Sequence, residues 1–426
     1  MTKKANRVLA AVLALAAGVG LTGCGGQSTE QGADKVTTIT LWHGFTEKDG
    51  DTLQAIIKDF NASQKHYRVK AEKNPWNVIN DKLMSGLSAG NGPDILTYQA
   101  DSARGFITQG AFLPTDDFYA DPANETKVYR ANVVKDGMLD GKHYGVPMGH
   151  APYSVYYNKE AFRKAGIDPG QAPATWDDLV DLARKLTVDA NKDGTPEQYG
   201  IALADKESGY IPTFLQAAGS DLVEGGKATL DGDKAVKTMT YWRDKVYAPR
   251  FSPSNISLTD AQTLFVSGKA AMFFIGPWVA QTAKDKGIDV GTFEFPAGPA
   301  ARVTQAASLY WYVTSQVGQD KSKREGAYEF MRFFNNHRNQ ITWATEANYP
   351  PNRTDITGEE LKGNPLIAQI SPYMDRAKLL LGSLKTGFAD VQSELNALGP
   401  KISASQGDIR PILKASNDRI QSLIDK

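Results

Sequence analysis

The sequence predicts an α/β protein built as two domains, and three observations carry that expectation. The chain has 426 residues, beyond the roughly 250–300 residues at which a single hydrophobic core stops growing. Its first elements run strand–helix–strand–helix–strand, an order that builds a largely parallel sheet. Apolar residues make up 41% and charged residues 23%, the balance of a folded globular chain and not of a disordered, collagenous or polytopic membrane one. Lys plus Arg and Asp plus Glu are both 48, so no basic field for grasping nucleic acid is expected. The single cysteine, Cys24, excludes an internal disulfide and any Cys₄ or Cys₂His₂ zinc site.

Lys3, Lys4 and Arg7 precede the apolar run Val8–Leu21, the form of a secretory signal. The run is shorter than the ~20 apolar residues of a membrane-spanning helix. It ends in Leu21-Thr22-Gly23-Cys24, which resembles the bacterial lipobox, where cleavage before the cysteine follows diacylglyceryl transfer to its sulfur. The expectation is therefore a lipoprotein signal over residues 1–23, lipidation of Cys24, and a Gly/Gln/Ser/Thr-rich flexible tether over 24–35. Removing the signal takes away three cations and leaves about −3 on the mature chain. Each buried CH₂ of an acyl chain contributes ~0.8 kcal/mol, so two or more chains make a stable membrane anchor.

Val36–Trp42 is β-branched and apolar, a strand. Leu53, Ile56, Ile57 and Phe60 recur at helical spacing between Asp51 and Ser63. Tyr67–Glu72 alternates as a strand, Val78–Ala89 reads as a helix closed by Gly90-Asn91-Gly92-Pro93, and Asp94–Tyr98 is a third strand. Ligands in such sheets lie beyond the carboxyl ends of strands, which directs attention to the residues after Trp42, before Val78 and around Tyr98. Tyr153–Tyr157 is a strand, and Thr175 with Asp178 forms a capping box opening a helix through Leu186. A short strand Gly200–Leu203, helices near Ile211–Ala218, Asp231–Tyr247 and Ala261–Ser267, and a buried strand Ala270–Ile275 follow. Leu309–Val313 is a strand, Lys323–Asn335 a helix, and the tail from Leu361 mostly helical.

Several pieces, in this order and spacing, resemble the extracellular solute-binding proteins of ABC importers, the family that includes the maltose-binding protein. They are Ile39–Gly44, Leu83–Asp94, Gly145–Pro147, Val155–Lys159, Ala174–Leu179, Phe265–Met272 and Gly276–Trp278. The resemblance implies a type II periplasmic-binding-protein fold: two α/β lobes, three interlobe crossings and a cleft between the lobes. On that pattern lobe 1 comprises 36–149 plus 311–350 and lobe 2 comprises 150–310 plus 351–426. The crossings fall near Met148–Tyr153, Gln305–Trp311 and Ala347–Thr354. The implied function is capture of a mono- or oligosaccharide by hinge closure and its delivery to permease transmembrane subunits. The implied protein is a monomer held outside the cytoplasmic membrane by lipid, with no cofactor, metal or nucleic-acid partner and no catalysis of its own.

The same resemblance nominates ligand contacts. Trp278 follows Gly276-Pro277, and the matching tryptophan of maltose-binding relatives stacks on sugar. Tyr98 and Asp101, aligned from Pro93, match an aromatic and an aspartate that touch sugar. Trp76 matches a ring of the glycerol-3-phosphate-binding relatives, and Tyr210 a second-lobe platform. His43 and Phe45 follow the first strand and either face the cleft or hold the loop. His150, Tyr153, Tyr349 and Arg353 lie at crossings. At Leu309–Val313 either Trp311 or Tyr310 should face ligand, since alternation puts Tyr310 and Tyr312 on the face opposite Trp311. Phe388 stands where relatives carry a second-lobe tryptophan.

Asp189, Asn191 and Asp193 with Gly194 begin like a calcium loop, but its twelfth position is Gly200 in place of a bidentate Glu, so a metal-free Asx turn is expected. Three alternatives stand beside the sugar importer: a glycerol-3-phosphate or phosphodiester binder of the same family, a secreted carbohydrate-active enzyme, and a surface adhesin or sensor partner. The enzyme needs two carboxylates flanking one bond, and no motif supplies such a pair or a nucleophile elbow, metalloprotease motif or phosphate loop.

Overall fold

A computed structural model describes residues 36–45 and 48–425; the expected signal peptide, Cys24 and the tether lie outside the described residues. β1 (Thr37–His43), α1 (Lys48–Ser63), β2 (Tyr67–Lys73), α2 (Trp76–Ser88) and β3 (Ile95–Gln99) follow the sequence reading closely. β1 pairs in parallel with both β2 and β3. α1 buries Leu53, Ile56, Ile57 and Phe60, the residues whose spacing announced it. A helix not anticipated, α3 (Ala100–Thr108), opens directly after β3 and buries Ala100, Ala103 and Ile107.

The chain then passes into β4 (Gly145–Pro152), buried along its whole length, and β5 (Ser154–Asn158). In the second lobe, α4 (Trp176–Leu186) starts on the Thr175–Asp178 capping box, both of whose bonds are made. α5 (Tyr210–Ala217) and α6 (Asp233–Trp242) follow. The single helix expected through Tyr247 instead changes at Arg243 into a five-residue π-helix. β6 (Met272–Ile275) and β7 (Val290–Phe293) flank β5, both antiparallel to it. Gly200–Leu203 joins this sheet only by isolated bridges from Tyr199 and Ala202. A Cβ at Gly200 would stand 1.9 Å from the Ala183 carbonyl oxygen, so the segment is pressed against α4, where glycine favours close approach over regular pairing.

β8 (Thr304–Val313) ties the lobes together. Leu309–Val313 pairs antiparallel with β3, and Ala306–Tyr312 pairs antiparallel with β4 with a register shift at Leu309/Tyr310. Thr304 and Gln305 pair in parallel with the two-residue strand β9 (Ala377–Lys378). The resulting order β9-β8-β3-β1-β2, with β4 on β8, makes the first-lobe sheet mixed and not largely parallel as expected. The cause is β8, which enters from the second lobe and must run against β3. Helices α7 (Lys321–Phe334) and α8 (His337–Ala347) cover this sheet, and α9 (Phe388–Ser403) and α10 (Arg410–Ile424) finish the chain.

One buried core gathers residues between 153 and 303 with others between 381 and 420. A second gathers residues between 39 and 148 with others between 309 and 347. β4 and β8 therefore run from one core to the other. The segment expected as the third crossing stays bound to the first lobe: Arg130 donates to the Asn352 carbonyl at 2.9 Å and Thr354 to that of Val128 at 2.8 Å. Buried side chains join the second-lobe core only from Leu381.

Asp94, fully buried, fastens the first lobe from within. Its Oδ2 accepts from the Thr40 amide at 2.8 Å and hydroxyl at 2.9 Å, and its Oδ1 accepts from Lys323 Nζ at 2.7 Å. Removing one partner of a buried ion pair strands the other. Asp94→Ala is expected to lose about 3 kcal/mol of stability, read from the guanidinium midpoint; a loss below about 1 kcal/mol would put the fastening elsewhere.

Candidate functional site

The first-lobe wall begins where β1 ends. Gly44 follows His43, and a Cβ there would meet the Trp76 indole at 2.2 Å, so only glycine lets that ring lie against the strand end. Phe45 stacks with His43 (centroids 5.8 Å apart) and stands edge-on to Trp76 and Trp343, each at 5.6 Å, and to Tyr349 at 6.3 Å. Tyr349 stacks on Trp343 at 5.3 Å. His43 and Phe45 are buried, whereas Trp76 and Tyr349 keep exposed surface. Burial, then the Lys73 charge, lowers the His43 pKa to about 4, so the ring is neutral at neutral pH. Neither of its nitrogens, both shut off from solvent, has a partner among the described residues.

A second aromatic group lies in the second lobe. Tyr153, immediately after β4, stands edge-on to Phe274 at 5.7 Å and to Trp278 at 5.6 Å. The Gly276-Pro277-Trp278 turn folds the indole back against Gly276, where a Cβ would meet it at 2.1 Å. Trp278 remains half-buried. Tyr210 is buried and its hydroxyl donates to the Phe274 carbonyl, so its ring is fixed while its polar edge is occupied.

Glu207, in the loop ahead of α5, was not nominated from the sequence. Its charge is felt by both Tyr153 and Tyr210, and Tyr349 of the first wall also acts on Tyr153. Burial raises the Glu207 pKa, opposed by the Gly209 amide donating at 3.4 Å. The signal available for it was position: Ala204–Gly209 is a run of turn and polar residues just beyond the Gly200–Leu203 segment.

The remaining nominees do not join these walls. Trp311 is a correction: fully buried, it packs edge-on against Phe330 and Phe334 of α7 at 5.3 and 5.0 Å. Strand alternation turns its ring outward to the covering helix. Tyr310, on the opposite face, holds His150 Nε2 at 2.9 Å and donates to the Val133 carbonyl. Burial, then Arg130, lowers the His150 pKa to about 3. Tyr98 donates to the Asn80 side chain and packs on Phe106. Asp101, also buried, faces the backbone N–H groups of Leu380 and Leu381; burial raises its pKa to about 6 against the opposing pull of Arg104. Phe388 opens α9, packed against the second-lobe core. Arg353 is committed to Asp355 and Glu125.

In the Asp189 loop the oxygens turn onto the loop's own amides: Asp189 accepts from Gly194, Asn191 from Asp193, and Asp193 from Thr195. Among the described residues no group of three or more His, Cys, Asp or Glu is placed to hold a metal ion.

Residues 55–369 match the sequence pattern of the family described as bacterial extracellular solute-binding protein. The chain is 23% identical over 410 residues to the maltotriose-binding protein of Pyrococcus abyssi, covering 92% of this chain and 83% of that one. It is 25% identical over 348 residues to the sn-glycerol-3-phosphate-binding periplasmic protein of Escherichia coli, 75% of each chain. The crystal structure of the cyclic α-maltosyl-1,6-maltose binding protein of Arthrobacter globiformis matches with a TM-score of 0.78 at 19% identity, over 91% of this chain and 99% of its own. That likeness is one of fold, the two-lobe type II architecture of periplasmic binding proteins. With the family pattern spanning well over half of its length, from α1 to the segment beyond α8, the chain belongs to the bacterial extracellular solute-binding proteins.

Proposed function

We propose that this protein is the solute-capturing component of an ABC importer, that its solute is a mono- or oligosaccharide, and that it performs no chemistry on it. The observation that supports this reading is the presence of part-exposed aromatic rings on both lobes, Trp76 and Tyr349 on the first and Trp278 on the second, with the Glu207 carboxylate near Tyr153 of the second. Sugars present apolar C–H faces bordered by hydroxyls, so part-exposed rings with a carboxylate nearby suit them. Micromolar affinity requires about −8 kcal/mol, while one ring contributes ~1 kcal/mol beyond its buried area. Several rings must therefore converge, which hinge closure of two lobes around a ligand achieves, as in periplasmic binding proteins. The maltotriose-binding relative supports the same reading.

The glycerol-phosphate reading has its own relative in favour. A phosphate calls for a convergent arginine or a free helix N-terminus. Arg353 is committed to Asp355 and Glu125, and Arg104 to the carbonyls of Gly382 and Leu384, which favours the neutral sugar.

Attachment to the outer face of the membrane follows in this reading from Cys24 and its diacylglyceryl group, with release of the solute to the permease transmembrane subunits. No helix among the described residues is long and apolar enough to cross a membrane.

A thermal-shift panel of mono-, di- and trisaccharides and glycerol phosphates is expected to stabilise the protein only with sugars; stabilisation by the phosphates alone would reverse the assignment. Trp278→Ala is expected to weaken the sugar so identified roughly tenfold, the scale of one lost stacking contact, with the thermal midpoint nearly unchanged. Intact affinity in calorimetry together with a collapsed midpoint would assign the ring to the core. Cys24→Ala is expected to move the protein from the membrane fraction to the soluble exported fraction, and its retention on membranes would remove the lipid anchor from the proposal.

A further inference from the structure

Residues Met374–Lys385 run along the boundary of the two cores and make contacts with both. Met374 and Leu379 pack with Tyr98, Tyr310 and Tyr312 of the first lobe, whereas Leu381 and Leu384 belong to the second-lobe core. The first lobe holds this strap by its polar groups. Asn132 Nδ2 donates to the Met374 carbonyl at 2.8 Å, and Arg104 Nη1 donates to the carbonyls of Gly382 at 2.8 Å and Leu384 at 3.0 Å. Asp101, one turn before Arg104 on α3, faces the N–H groups of Leu380 and Leu381. From the other side Arg376 forks onto Glu294, at 2.5 and 2.9 Å.

The hold is made of few bonds. Arg104 Nε, Asp101 Oδ1 and Ser383 Oγ have no partner among the described residues. A cavity of about 420 Å³ opens alongside, lined by Arg104 and Asp136 of the first lobe, Gln216 and Asp221 of the second, and Gly382 and Ser383 of the strap. Burial raises the pKa values of Asp101, to about 6, and Asp136, to about 7; Arg104 opposes both, joined at Asp136 by Lys135 and Lys378. Arg104 thus faces two acids while its Nη1 serves two carbonyls of a segment whose Leu381 and Leu384 lie in the opposite lobe. Charge-assisted hydrogen bonds of this kind are stronger than neutral ones, and a contact between two bodies that is made in only one of their arrangements favours that arrangement by its own strength.

We propose that Arg104 is a positioning residue for lobe closure: by gripping the Gly382 and Leu384 carbonyls from α3 it holds the second lobe against the first, and so sets the open-to-closed balance of the solute cleft without touching the solute. The proposal rests on the hinge-closing reading above, but its test needs no solute. The full chain carrying Cys24→Ser, Lys58→Cys and Lys237→Cys has one spin label on each lobe, both at exposed positions, and the interlobe distance distribution is read by pulsed electron resonance. Arg104→Gln is expected to raise the ratio of long to short distances roughly tenfold, the scale of one charge-assisted hydrogen bond. Arg104→Lys, whose three-donor ammonium keeps the charge facing Asp101 and Asp136 but reaches the carbonyls from a shorter stem, is expected to fall between. Unchanged distributions in both variants would overturn the proposal. Should Arg104→Gln melt far below the parent, its distribution is read well below its own midpoint, where an increased long-to-short ratio supports the grip and the parental ratio refutes it. A parent chain that binds no sugar would sink the functional reading while leaving this distance test intact.

Discussion

The structure depends on how β8 satisfies its backbone. A strand that leaves one lobe and enters another must keep its amide and carbonyl groups paired in both, because buried unpaired groups cost too much to persist. β8 does so by changing partners along ten residues: β9 at Thr304 and Gln305, β4 through most of its length, and β3 from Leu309 to Val313. Its pairing with β4 couples two of the passages between cores into one ladder. The register shift at Leu309/Tyr310 falls within that ladder, at the point where β3 joins, and local irregularity of this kind is where a sheet bends most readily.

The walls of the cleft follow from that arrangement. β4 delivers Gly149 to the first lobe, where a Cβ would meet Tyr349 at 2.9 Å, and Tyr153 just beyond it to the second. A few residues of one strand thus seat an aromatic on either side. Glycines set the depth of both walls. At Gly44 and Gly276 the missing side chain is the space that a tryptophan fills. The rings lean on backbone as well as on Phe45 and Tyr153, and Trp76 and Trp278 keep part of their surface exposed while Phe45 and Tyr153 are buried.

The sequence was legible where the signal was local. The spacing in α1, the capping box of α4 and the apolar stretch that became β6 each settle an element within a dozen residues, and the observed bounds agree to within a few positions. Phe45 and Trp278 were nominated from a strand end and a Gly-Pro turn, Trp76 and Tyr210 from the resemblance, and Tyr153 and Tyr349 from the expected crossings. Signals that depend on a distant partner failed. α3 lacks a strong apolar run and is helical because three small or apolar residues on one face meet the first-lobe core. Alternation named the two faces of β8 but not which one α7 would cover, so Trp311 was nominated for the cleft and lies instead beneath Phe330 and Phe334.

By itself the sequence determined most of the elements and named candidate residues, because periodicity, caps and turn glycines act over short range. Tertiary structure alone decided which of those residues share a space. Asp101 answers to backbone amides near Leu380 and Glu207 to Tyr153 and Tyr210, because long-range pairing through β8 and the strap before α9 sets which surfaces face each other, and no local spacing records that choice.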